Sequence, residues 1–121
     1  MGAIDRDSLL RAASLIGLLA SGWQPGKAEF DDARYVERWA VIPSDNGAPF
    51  RLIGTAWSLP LRSEPIVGTL LAIDAVACWA RLWNEWILIS APLAGSPAID
   101  VAAIQDAASF WVDTQLRRSP A

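Results

Sequence analysis

Strand-like segments occupy one uninterrupted block in the middle of the chain, and helical periodicity is confined to the two ends. Four apolar segments separated by turn-forming residues make up this block: residues 39–42, 50–59, 66–73 and 78–89. Strands that follow one another without helices between them favour an antiparallel sheet. At 121 residues, the chain has the length of one domain. We therefore predict a single α+β domain over residues 1–121, in which N-terminal helices and a C-terminal helix pack on an antiparallel meander of about four strands.

The connections within the block carry recognisable turn chemistry. Residues 44–47 (Ser-Asp-Asn-Gly) include types that tolerate positive φ, and they predict a tight turn between the first two strands. Residues 60–65 begin and end with proline and predict a loop before the third strand. The segment 78–89 is long for a strand, so we expect a bulge or a break near Asn84.

A broad apolar stripe indicates the first helix. Leu9 and Ile16 lie on one face at helical spacing. A carboxylate at Asp5 or Asp7 can accept the free amide protons of the first turn, which predicts the start of the helix there. Gly22 suits the left-handed position that ends many helices.

Two further helices are predicted on either side of the strand block. Residues 28–38 carry apolar and charged side chains at helical spacing, which favours a second short helix that gives way to a strand by Val36. Ser96 followed by Pro97 has the residue types of an N-cap and a first helical position. This pair therefore predicts that the C-terminal helix begins there.

Composition excludes several classes of protein. With 53% hydrophobic and 19% charged residues, the chain is too apolar for a disordered segment. The net charge is −3 and the arginines are scattered, so we expect no nucleic-acid partner, which would require a clustered basic face. No stretch reaches the ~18 apolar residues of a membrane span. The N-terminal segment has balanced charges, unlike a signal peptide, so we expect no membrane association.

Residues that commonly perform catalysis or bind metals are scarce. The chain has one cysteine and no histidine, which removes an intramolecular disulfide, the common nucleophile pairs and the usual zinc ligands. We expect Cys78 to be a buried, inert thiol in a reducing compartment, which favours a cytoplasmic location. Asp74 is expected to cap a turn and Glu85 to face solvent. We therefore predict a protein that is not an enzyme, with no catalytic or metal-binding residues and no cofactor.

Seven tryptophans are the most unusual feature of the chain. Strand alternation places Trp79, Arg81 and Trp83 on one face, and Trp57 lies across from them if its strand is a neighbour. Aromatic residues and arginine are enriched in protein interfaces, so we predict that these four residues form a protein-binding patch. In the alternative interpretation, Arg81 reaches solvent from the edge of a second buried layer. The patch requires that no helix covers this face.

Short motifs are spread over residues 39–90. They are Trp39, Leu52-Ile53-Gly54, Ile66-Val67-Gly68-Thr69, Ala72-Ile73-Asp74, Trp79-Ala80-Arg81 and Trp86-Ile87-Leu88. This pattern resembles an uncharacterised family of short bacterial proteins, known only as a domain of unknown function. The chain departs from it at residues 55–58 (Thr-Ala-Trp-Ser), where the family has Gly-His-Pro, and at Leu82, where the family has Thr. The resemblance implies a compact meander and no particular activity.

These observations favour a small, non-catalytic protein-binding module with a protein partner. Inhibitors of host systems that phages or other mobile elements encode, such as anti-CRISPR proteins, are small non-catalytic proteins of this kind. The prediction therefore includes the role of such an inhibitor. The alternative is a small-ligand-binding protein or minor enzyme with an aromatic pocket between the sheet and the helices. A third interpretation is a homodimer formed through the face that carries Trp79, Arg81 and Trp83.

Overall fold

Two helices and five strands make up the part of the chain that the computed structural model describes, which is residues 4–43, 48–58 and 62–118. The helices are α1 (Arg6–Ala20) and α2 (Val101–Arg118), and a single 3-10 turn covers Lys27–Phe30. The strands are β1 (Arg34–Ile42), β2 (Arg51–Ser58), β3 (Arg62–Asp74), β4 (Trp79–Leu82) and β5 (Trp86–Ile89). The prediction of an α+β fold is therefore confirmed.

The five strands form a closed barrel in the order of the sequence. Each consecutive pair is antiparallel, and β1 pairs with β5 in parallel. The first and last strands of a five-stranded meander run in the same direction, so the pair that closes the barrel must be parallel. The sheet has one strand more than predicted, because the segment 78–89 folds as a hairpin. Of the two expectations for this segment, the break near Asn84 is confirmed: β4 ends at Leu82 and β5 begins at Trp86.

Helix α1 begins and ends where its sequence predicts. The Asp5 side chain accepts the backbone N–H of Ser8 at 2.6 Å, which satisfies one of the free donors of the first turn. Gly22 adopts a φ of +101° just beyond the helix. The backbone N–H groups of Ser21 and Gly22 bond to carbonyls of the last turn, so the helix ends with its carbonyl groups satisfied.

The predicted second helix is wrong, but the predicted change to a strand by Val36 is confirmed. Residues 28–38 form only the end of the 3-10 turn before β1 begins at Arg34. Strand β1 pairs with β2 on one side and with β5 on the other, and these long-range ladders override the local helical spacing. The tight turn predicted at residues 44–47 lies outside the described residues.

The predicted start of the C-terminal helix is also wrong. Helix α2 begins at Val101, and the Asp100 side chain caps it by accepting the backbone N–H of Ala103 at 3.0 Å. The Ser96 hydroxyl donates instead to the carbonyl of Leu93. A turn at Ala94 and Gly95 and an irregular segment over residues 96–100 therefore precede α2, and Asp100 provides the N-cap that was predicted at Ser96.

Two clusters of buried side chains stabilise the fold. The first fills the barrel and contains Val36, Trp39, Leu52, Ala56, Ile66, Leu70, Ile73, Ala80, Leu82, Ile87, Ile89 and Ile104. The second lies between the two helices and the outer side of β3 and contains Leu9, Ala12, Ile16, Leu71, Ala108 and Val112. Helix α2 packs on β3, and α1 packs on α2. The helices therefore shield the β3 side of the barrel.

Two glycines at inward positions allow the strands of this small barrel to approach closely. A Cβ on Gly54 would lie 2.7 Å from Val36 Cγ1 and 3.3 Å from Trp39 Cα. A Cβ on Gly68 would lie 2.7 Å from Leu82 Cδ1. Neighbouring side chains thus occupy the space that a larger residue would need, as expected for glycine inside a strand.

Candidate functional site

Strand β4 and the residue after it carry three of the four residues predicted to bind a partner. Ala80 and Leu82 belong to the barrel core. Alternation along the strand therefore places Trp79, Arg81 and Trp83 on the outer side. The predicted division of this segment into two faces is confirmed.

Tertiary packing covers part of this outer side. The ring of Trp83 meets that of Trp111 from α2 edge to face, with 5.3 Å between the centroids. Trp79 is only 6% exposed and packs edge-on against Trp86 at 5.5 Å. The condition that no helix covers the face is not met, so these residues form no open patch.

Trp57 lies apart from the other three predicted residues. It is on β2, whose neighbours in the barrel are β1 and β3, so β3 separates it from β4. Its ring N–H donates to Glu37 Oε1 at 3.0 Å, and its direct cross-strand partner on β1 is Tyr35. Trp57 therefore belongs to a different surface of the barrel.

Sequence reasoning missed Trp86, which is the centre of an aromatic cluster formed with Trp23, Phe30 and Trp79. Its ring centroid lies 6.3, 5.8 and 5.5 Å from those of the three partners, respectively. The guanidinium carbon of Arg81, its cross-strand partner, lies 5.2 Å from the Trp86 ring centroid. The register of the β4–β5 hairpin would have predicted the contact between Arg81 and Trp86. No local sequence pattern indicates that Trp23 and Phe30, which precede β1, pack against Trp86 of β5.

An ion-pair network joins β1 to two other parts of the barrel. Arg34 donates from Nε and Nη2 to the two carboxylate oxygens of Glu85 at 3.0 and 2.8 Å, and from Nη1 to Glu64 at 2.7 Å. The hydrogen bonds to Glu85 raise the pKa of Arg34 above its ordinary value. The prediction that Glu85 faces solvent is wrong, because the parallel β1–β5 pairing brings this carboxylate to Arg34.

The outer side of β1, β2 and β3 forms what we name the open face, defined by Tyr35, Ile53, Trp57, Pro65 and Val67. Tyr35 pairs directly with Trp57, and Ile53 pairs directly with Val67. Tyr35 is 46% exposed and Val67 is 65% exposed. Apolar side chains therefore remain accessible across three adjacent strands.

A shallow depression of about 450 Å³ adjoins the open face. Tyr35 and Trp57 line one part of it, and Asp31 and Asp32 line another. Both aspartates are exposed, and no ion pair among the described residues engages them. This end of the open face thus combines aromatic rings with unneutralised negative charge.

A second concavity lies between α1 and the outer side of β3 and β4, with a volume of about 270 Å³. We name it the arginine cavity, because the charged residues that line it are Arg11 and Arg81. Arg81 Nε is buried and has no hydrogen-bond partner among the described residues. Burial lowers the pKa of Arg81, and the nearby charge of Glu85 partly offsets this effect.

The lone thiol is exposed, so the prediction of a buried thiol is wrong. Cys78 lies in the turn between β3 and β4 with a φ of +65°. Asp74 caps this turn, as predicted, by accepting the backbone N–H groups of Val76 and Ala77 at 3.1 and 2.9 Å. In the described ranges, no three cysteine or carboxylate side chains gather into a group that could hold a metal ion.

Comparisons with known proteins found no match, so the description of the fold and of the site rests on the structure alone. No family model, no curated protein and no solved structure matches the chain. Neither of the two helices described has both the length and the apolar character needed to span a bilayer. The resemblance to a family of unknown function therefore stays a prediction.

Proposed function

We propose that this chain is a non-catalytic protein-binding module that contacts its partner through the open face. The observation that carries the proposal is the accessibility of Tyr35 on β1 and of Val67 on β3, since Val67 stays exposed although the helices pack on the same strand at Leu71. Contiguous exposed apolar groups on a soluble domain mark interaction sites. Trp57, the one predicted site residue on this face, supplies an aromatic ring of the kind that dominates interface energetics.

The charges around the open face define the chemistry of the partner. Asp31 and Asp32 border the depression beside Tyr35 and Trp57. The nearby Arg34 is already bound to Glu64 and Glu85, so it does not neutralise them. We therefore expect the partner to present a basic side chain that reaches the aspartates and an apolar group that packs on the rings, since complementary charge steers association.

The proposal includes the inhibitory role predicted from the small, acidic character of the chain. A phage or mobile-element inhibitor, such as an anti-CRISPR protein, acts by binding a host protein and needs no catalytic residue. The captured partner identifies the process, and a component of a host defence system would support this part of the proposal. A partner from housekeeping metabolism would contradict it.

Two exposed valines provide a matched test. Val67 lies on the open face and is 65% exposed, whereas Val76 lies in the turn after β3 and is 96% exposed. A pull-down from host lysate should recover the same protein with the wild type and with Val76→Glu, and Val67→Glu and Tyr35→Glu should lose it. Far-UV circular dichroism confirms that each variant is folded. Equal recovery by Val67→Glu and Val76→Glu would contradict the proposal.

Purified partner then tests the charge argument. Affinity should fall as salt increases, because exposed charges are screened beyond roughly 10 Å at about 0.1 M salt. The double change Asp31→Asn and Asp32→Asn should weaken binding and flatten the salt dependence. An affinity that rises with salt would refute the basic partner. A homodimer that Val67→Glu converts to a monomer would also refute the proposal, because it would assign the open face to a second copy.

A further inference from the structure

The arginine cavity is separate from the open face and has a different character. It lies beneath α1 against the outer side of β3 and β4, and its volume is about 270 Å³. This volume is just below the range for pockets that hold drug-sized molecules, roughly 300–1,000 Å³, so the cavity suits a smaller ligand. Leu15, Leu71 and the ring of Trp83 form apolar parts of its lining.

The polar part of the lining is positively charged. Arg11 and Arg81 are its charged residues, and Asn84 adds an amide. Arg11 Nη2 donates to the Ser8 hydroxyl at 3.3 Å, and that hydroxyl donates to Asp5 at 3.1 Å, which links the Arg11 guanidinium to the N-cap of α1. Planar guanidinium groups bind carboxylate and phosphate through paired hydrogen bonds.

Arg81 lacks the acceptor that its burial calls for. Its Nε atom is buried without a hydrogen-bond partner, and no ion pair engages its guanidinium among the described residues. The carboxylate of Glu85 acts on Arg81 through space, but both of its oxygens are bound by Arg34. A charged group held in a partly buried position without a counter-ion costs free energy, so an anion bound beside Arg81 in the cavity would reduce that cost.

We propose that the arginine cavity binds a small organic anion. Arg81 and Arg11 hold its carboxylate or phosphate group, and its apolar body lies against Trp83 and Leu71. The stacking of Arg81 on Trp86 orients the guanidinium plane before the ligand arrives, which lowers the entropy cost of binding. The site is independent of the open face, so either proposal can fail without the other.

Three small aromatic probes test the ligand class by calorimetric titration of the wild-type protein. Benzoate and phenyl phosphate carry the two anionic groups, and benzamide is a neutral molecule of the same shape as benzoate. We expect at least one anion to bind at least about tenfold more tightly than benzamide, which corresponds to ~1.4 kcal/mol. Binding of only one anion assigns the group that the arginines recognise. Equal binding of benzoate and benzamide, or no binding by either anion, would overturn the proposal.

Three arginine variants locate the site. Arg81→Gln should weaken binding of the preferred anion by about tenfold or more, and Arg11→Gln by a smaller factor. Arg51→Gln changes an exposed arginine on β2 outside the cavity and should leave binding unchanged. If Arg81→Gln does not fold, Arg11→Gln decides the question, because Arg11 is exposed. Undiminished binding in a folded cavity variant, or an equal loss in Arg51→Gln, would overturn the site.

Discussion

At Gly54, the barrel has no room for a methyl group. The Cβ of an alanine would lie 2.7 Å from Val36 Cγ1, and the backbone around Trp39 lies only 3.3 Å away. We expect Gly54→Ala to lower the free energy of unfolding by about 1–3 kcal/mol, as overpacking does in other cores. Chemical denaturation followed by tryptophan fluorescence measures the change.

Gly17 provides the matched control for this substitution. A Cβ at Gly17 would meet no atom within 4 Å, and the residue lies in the last turn of α1. Gly17→Ala should therefore raise the free energy of unfolding by about 0.5–1 kcal/mol, through the higher helix propensity of alanine. A Gly54→Ala protein as stable as the wild type would show that the barrel can expand at this point.

Strand alternation predicted which side chains share a face, but not what covers that face. The common face of Trp79, Arg81 and Trp83 was predicted because alternation is a property of the strand itself. The exposure of Trp79 and Trp83 depends on where α2 and the chain before β1 pass over the sheet. No pattern within β4 encodes that path, so the predicted patch failed at the residues that other elements cover.

Helix α1 depends on its N-cap, and this dependence has a pH signature. The backbone N–H of Ser8 lowers the pKa of Asp5 below its ordinary value. The cap therefore stabilises the folded state above the ordinary pKa range of aspartate, and this contribution is lost as the pH falls through the lowered pKa. Thermal unfolding at several pH values should show a loss of stability at acidic pH that is smaller in Asp5→Asn. Identical pH profiles for the two proteins would contradict the assignment.

Arg34 joins β1 to β5, and its partners differ in burial. The Glu85 side chain is 26% exposed and the Glu64 side chain is 65% exposed. We expect Glu85→Ala to cost about 1–3 kcal/mol, because it leaves the half-buried Arg34 without its two-bond partner. Glu64→Ala should cost less than about 1 kcal/mol, as for exposed ion pairs. Equal losses of unfolding free energy for the two variants in urea denaturation would contradict the larger contribution expected of Glu85.

Helix and strand limits show where local signals suffice. The start of α1 was predicted at Asp5 or Asp7, because a capping carboxylate and the amides that it bonds lie within the same turn, and the cap is Asp5. The start of α2 was predicted incorrectly, since Ser96-Pro97 and Asp100 both have residue types that suit a helix start. Packing of Ile104 in the barrel core selects Asp100. The strand identity of Arg34–Ile42 likewise comes from ladders to β2 and β5.

In the whole molecule, the barrel and the helices share one cluster through Leu71. This β3 side chain is 1% exposed and packs with Leu9, Ala108 and Val112 of the two helices. We expect Leu71→Ala to cost about 2–5 kcal/mol. The transitions followed by far-UV circular dichroism and by tryptophan fluorescence should shift together. A helical signal that is lost before the fluorescence change would show that the helices unfold separately from the barrel.

The parallel ladder between β1 and β5 also has a kinetic consequence. These strands are separated in the chain by β2, β3 and β4, so their pairing must close a long loop, whereas the other ladders grow from consecutive strands. The ring should therefore close late, after the transition state of folding. Because Arg34 bonds form in that step, Arg34→Met should speed unfolding in stopped-flow experiments while the folding rate changes little. The unfolding rate, and with it the lifetime of the folded state, is thus expected to depend on the contact between β1 and β5.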